Sequence, residues 1–153
     1  MTPLKFWLFF HVISVVIWVG GMFFAYMALR PAAVEVLEPP MRLPLWAATF
    51  RRFFPWVWGA VALILISGLI MIGQMGGMGQ VPVYVHIMLA VGLAMMAIFA
   101  HVFFAPYKRL RRAVAAQDWP SGGKALGQIR MLVGTNLSLG LLNVAIAILG
   151  ALW

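Results

Sequence analysis

Three histidines carry most of the chemistry this chain could do: His11, His86 and His101. Each lies in a long stretch free of formal charge. His86 and His101 share Val81–Ala105, which is 25 residues long. About 20 apolar residues in a helix cross the ~30 Å of a bilayer's hydrocarbon. Imidazoles inside such a span are costly and are rarely there without a role. His86 and His101 are 15 residues apart, so about 22 Å along a helix and roughly 60° apart around it. They share a stripe with Ala90, Leu93 and Ala97, with Gly92 and Ala94 close by. Small residues let a second helix or a flat cofactor approach. His11 sits five residues inside Phe6–Leu29, and His86 five residues inside its own stretch. Both are expected ~7–8 Å below the same face of the membrane. Two neutral imidazoles at one depth on opposed helices suit a haem iron or a small metal ion. The sequence therefore predicts His11 and His86 as axial ligands of one haem b. Trp18, Trp7 and the pair Gly20-Gly21 would form the flat slot, and Ser14 would support a propionate or a ligand.

Methionine gives the other metal reading. Met71, Met75 and Met78 cluster at the expected level of His11 and His86. Thioether with imidazole suits Cu(I), although most of the 11 methionines must serve as apolar filler. His101 is expected near Asn136, within hydrogen-bond reach, with a second haem or an acid–base role as the sharper reading. Asn136 and Asn143 share a helix face and read as ties between helices. With no cysteine, disulfides, iron–sulfur clusters and thiolate sites are excluded. The acids are Glu35, Glu38 and Asp118, all outside the apolar stretches. A proton-driven carrier is poorly served by such a chain. No nucleophile–base pair or phosphate-binding glycine loop is present, so an enzymatic role would rest on haem.

The elements that must position these residues follow from composition. The chain is 65% hydrophobic and 9% charged, beyond what a water-soluble domain of 153 residues needs. The expected fold is all-α: a four-helix transmembrane bundle in a single membrane domain, 1–153, with spans of about 6–29, 53–73, 81–105 and 131–153. Residues 31–52 are expected at the membrane surface, partly helical from Leu45 to Arg52. Tyr107–Gln128 should carry a helix out of the membrane, with a turn at 119–123. Laid without a gap, spans one and three both place a proline 20 residues after a histidine, His11 with Pro31 and His86 with Pro106. Two parallel helix-hairpin repeats would give this pattern.

The net charge of +8 is read as topology signal and not as nucleic-acid affinity. Arg30, Arg42, Arg51 and Arg52 lie in the first connection. Lys108, Arg109, Arg111, Arg112, Lys124 and Arg130 lie in the third. Lys5 alone is elsewhere. The positive-inside rule puts both basic connections in the cytoplasm of a bacterial inner membrane and both termini in the periplasm. Expected partners are the lipid bilayer, a redox partner or membrane substrate, and a second copy of the chain.

The run His11-Val-Ile-Ser-Val-Val-Ile-Trp18-Val-Gly20-Gly21, followed by Arg30-Pro31, resembles the first helix of CopD-like copper-resistance membrane domains. It is also similar to HemJ-like haem proteins of four helices. The resemblance extends to four spans and to histidines at both ends of span three, His86 and His101, and implies a small bundle handling haem or copper at the membrane. HemJ-like proteins carry a lysine just after the histidine of the third span, where this chain has Ile87 and Met88. The resemblance therefore carries the wider grouping and not protoporphyrinogen oxidation.

Overall fold

The computed structural model describes residues 2–152, and Trp153, the expected end of the fourth span, lies outside them. The described residues form helices and no strands. Helix α1 (Pro3–Phe24) continues through a π turn (Ala25–Leu29) into α2 (Arg30–Val36). Helix α3 spans Pro39–Gln74, α4 Val83–Phe104, α5 Pro106–Ala115 and α6 Trp119–Gly150. Four helical rods are long and apolar enough to cross a membrane, so this is a multi-span membrane protein. They pair as two hairpins, α1 with α3 and α4 with α6. Helix α5 folds back on α6, and α6 also touches α1 and α3.

The π turn has a local cause. Pro31 has no N–H, so it gives nothing back to the preceding turn. The N–H of Arg30 reaches past Tyr26 to the carbonyl of Ala25. The bypassed Tyr26 carbonyl accepts from the Arg30 guanidinium instead, at 3.2 Å. The guanidinium also lies 4.5 Å from the centre of the Tyr26 ring.

Helix α3 is longer than the sequence predicts. The expected surface segment is largely its first part, and Pro44 and Pro55 sit inside it. Pro39 and Pro40 suit a first helical turn, where N–H groups have no partner anyway. Pro44, the sixth residue, leaves the Pro40 carbonyl without its donor, but Pro40 is exposed. Pro55 leaves the Arg51 carbonyl without its donor, but both residues are exposed and polar surroundings can satisfy it. At 36 residues the helix is about 54 Å long, well beyond the hydrocarbon thickness.

Two more boundaries differ from expectation. Pro106 ends α4, and a new helix starts there. Trp119–Gly123 is the first turn of α6 and not a loop. Asp118 caps it, accepting the Ser121 N–H at 3.2 Å, and Pro120 falls where proline is favoured. The real turn lies just before, where Gln117 takes a positive φ. At the other end of the bundle, Gly76 and Gly77 have φ near +99° and +89°, a backbone that side chains resist. They turn the chain from α3 into α4.

Between the ends, the helices lock through aromatic rings. Phe50 stacks on Phe54 at 4.9 Å. Phe54 meets Tyr107 at 4.9 Å and Phe99 at 5.3 Å, edge to face. Trp18 of α1 closes on Phe99 at 6.2 Å. Such pairs add about 0.5–1.5 kcal/mol each beyond their area. In lipid, where packing replaces the hydrophobic drive between helices, they weigh more heavily.

Phe54→Ala should therefore lower unfolding stability by about 3 kcal/mol, read by denaturant titration in detergent micelles. Trp56→Ala, on an exposed site two residues away, should change it by less than about 0.5 kcal/mol. Equal losses would remove the aromatic column as the lock. The cap gives a pH prediction. The Ser121 hydroxyl, and then its backbone N–H, hold the Asp118 carboxyl below the usual carboxylate range. Its contribution is complete above the unfolded carboxylate pKa and is lost as pH falls through the lower folded value. The protection of the Ser121 amide, its exchange rate relative to a free peptide at the same pH, should hold at mildly acid pH and be lost only below about pH 4. Loss of protection near pH 6 would contradict the cap.

Candidate metal site at the end that carries the termini

His11 is set two turns into α1, where α1 lies against α3. Its Nδ1 is 2.9 Å from the Ser67 hydroxyl. Ser67 donates its own proton to the Leu63 carbonyl and lies 3.2 Å from that of Ile64. A hydroxyl with its hydrogen committed to a carbonyl can only accept from the ring. His11 therefore carries its proton on Nδ1, and Nε2 presents a free lone pair, the form that ligates metals. Gly68 lies against the ring, and even a Cβ there would meet it only at ordinary contact distance, 3.4 Å.

His86 reaches the same tautomer differently. It stands in the first turn of α4, exposed. Its Nδ1 donates to the Pro82 carbonyl at 3.2 Å, which again leaves Nε2 free. The expected opposition across the core is not what the helices arrange. His11 turns to α3, and His86 lies on the outer side of α4. The whole stripe His86, Ala90, Leu93, Ala97 and His101 is exposed. The buried side of α4 carries Met95, Phe99 and Val102. Bulky side chains offer the bundle more dispersion contact than alanines do, so the small-residue face turns outward.

The soft donors lie on the α3 side. Ser67 and Met71 of α3 and Met75, which caps its end, follow one another at four-residue spacing and so share one face. Met71 is half-buried, and Met75 and Met78 are exposed around the Gly76-Gly77 turn. The hydroxyl that orients His11 is thus on the helix face that leads to the methionines. Among the described residues, no three of His, Cys, Asp and Glu gather as a metal site. Any soft-metal site here must draw on thioethers.

The residues assigned to a haem slot are otherwise engaged. Ser14 is buried, and its hydroxyl donates to the Phe10 carbonyl of its own helix at 2.7 Å. Trp18 is part of the aromatic core. The space over Gly21 is filled by the Phe53 ring, which a Cβ would meet at 2.2 Å. These residues do not fit a porphyrin. Asn136 does not pair with His101; its amide donates to the Met95 carbonyl at 3.2 Å. Asn143 donates to the Met88 carbonyl at 3.2 Å. The sequence reading missed Ser67, although a serine in an otherwise apolar span was the available signal.

No curated protein and no solved structure matches the chain. The family described as copper resistance protein D, CopD, matches residues 47–150, from the first third of α3 to the end of α6. That is more than half of the chain, and the chain belongs to the CopD family.

Proposed function

We propose that the protein takes up copper as Cu(I) cargo at the end of the bundle that carries its termini, with both termini in the periplasm of a bacterial inner membrane. The observation that supports this most is the fixed tautomer of His11. Ser67 holds Nδ1 and leaves Nε2 free, and Met71 and Met75 follow Ser67 at four-residue spacing toward the same end. Imidazole and thioether together are the donors Cu(I) takes and hard cations refuse. Membership of the CopD family supports copper over haem b. Met78 and the Nε2 of His86 flank the same turn and extend the donor set. His101, at the opposite end of α4, stands outside it.

Reduced protein titrated against a Cu(I) chelator should bind copper stoichiometrically. Ser67→Ala, which frees the His11 ring, should weaken binding by about 10- to 100-fold. His11→Ala should weaken it at least as much, and His101→Ala should leave it unchanged. A copper affinity indifferent to His11→Ala would sink the assignment. A red protein with a sharp reduced band and no copper would return haem to first place. Sidedness has its own test. A reporter fused after Trp153 should be active in the periplasm, since ten of the 11 basic residues lie in the connections expected on the cytoplasmic side. Cytoplasmic activity would reverse the orientation.

A further inference from the structure

At the basic end, where the π turn meets the starts of α3 and α6, lies a cavity of about 450 Å³. This is the size of a small-molecule site. Three arginines line it: Arg30, Arg42 and Arg130. No acidic side chain does. Trp46, Phe50 and Val133 make an apolar floor, and Tyr26 and Trp119 flank it. Arg30 directly follows the first apolar stretch, and Arg130 directly precedes the fourth. The cavity therefore sits at the boundary of the hydrocarbon, charged on the outer side and greasy on the inner.

Arg30 is already oriented. Its Nε donates to the Tyr26 carbonyl and its plane lies over the Tyr26 ring, so the rest of its fork is held in place. Fixed guanidinium forks bind phosphate oxygens in pairs. Three cations without a carboxylate among them repel one another at close quarters, and an anion between them removes that cost. A free phosphate would use the arginines but leave the aromatic floor uncovered. An anion carried on an apolar tail uses both.

We propose that this cavity binds the phosphate headgroup of an anionic lipid, with the acyl chain on the Trp46–Phe50 floor. The site is distinct from the copper donors, which lie at the other end of the bundle.

The test uses full-length protein, delipidated in mild detergent and examined by native mass spectrometry. Phosphatidylglycerol, phosphatidylcholine and inorganic phosphate are added separately and in competition. Phosphatidylglycerol should be retained in preference to phosphatidylcholine. The pair Arg42→Gln and Arg130→Gln should weaken its binding about tenfold or more. Removing the same charge at Arg111 and Arg112, outside the cavity, should have little effect. Circular dichroism verifies helix content. Should the double variant fail to fold, Arg130→Gln alone, at an exposed position, should still weaken binding severalfold. Equal retention of the two lipids, or equal losses from cavity and control pairs, would overturn the proposal. Inorganic phosphate that displaces the lipid at matched concentration would make this a free-anion site and also overturn it.

Discussion

An amide inside hydrocarbon bonds to protein or to nothing, and that constraint fixes the register of the α4–α6 hairpin. Asn136 and Asn143 donate to the carbonyls of Met95 and Met88. The donors are seven residues apart on α6 and the acceptors seven apart on α4, in opposite order. An antiparallel pair requires that order, and sliding one helix by a turn would break both bonds at once. Each is worth only about 0.6 kcal/mol on average in a membrane. Their effect is to select one alignment among several that packing alone would accept. Once α4 and α6 are in register, Phe99 and Met95 face inward, and Tyr107 reaches the ring of Phe54. The side-chain oxygen of each amide, Oδ1, is buried without a partner among the described residues, so it is the N–H side of each amide that sets the register.

The α1–α3 hairpin solves the same problem with one contact. The Ser67 hydroxyl bonds back into its own helix and then accepts from His11 on the neighbouring one. The histidine is thereby a tie between helices, and the same bond fixes the orientation of its ring. Its structural role does not compete with a chemical one, because the tie uses Nδ1 and leaves Nε2. Helix packing and the orientation of the ring are one device here.

Much of this was legible in the chain. Long uncharged stretches mark the four spans, and the charge distribution marks their two ends. His11 stands out because an imidazole in lipid demands a partner. What composition could not reveal is rotation about a helix axis. The stripe joining His86 to His101 has regular spacing, yet so does the face bearing Met95, Phe99 and Val102. Only packing against α1, α3 and α6 decides between them, and it favours the larger side chains. Proline misled at Trp119-Pro120 for a related reason. A missing N–H matters where a carbonyl is sealed from water, and matters little in a first turn or on an exposed face. The three arginines of the cavity are separated in sequence by 12 and 88 residues, so no local motif announces them.

The donor inventory limits what the bundle can handle inside the bilayer. No apolar stretch contains a carboxylate or a thiol. Imidazole, thioether, hydroxyl and amide remain. Magnesium and calcium require oxygen-rich, anionic shells, which nothing within the spans supplies. Zinc would accept imidazole but gathers three or four nitrogen, sulfur or carboxylate ligands, and the histidines do not converge: His11 is on α1, while His86 and His101 stand at opposite ends of α4. A soft monovalent ion is content with two or three neutral donors of the kind that His11 and the α3 methionines present. The same neutrality lowers the electrostatic cost of holding that ion near hydrocarbon, since a single charge with soft neutral ligands requires no buried counter-charge. The cationic end of the bundle obeys the opposite rule, because its arginines at the hydrocarbon boundary need anions and would repel a metal.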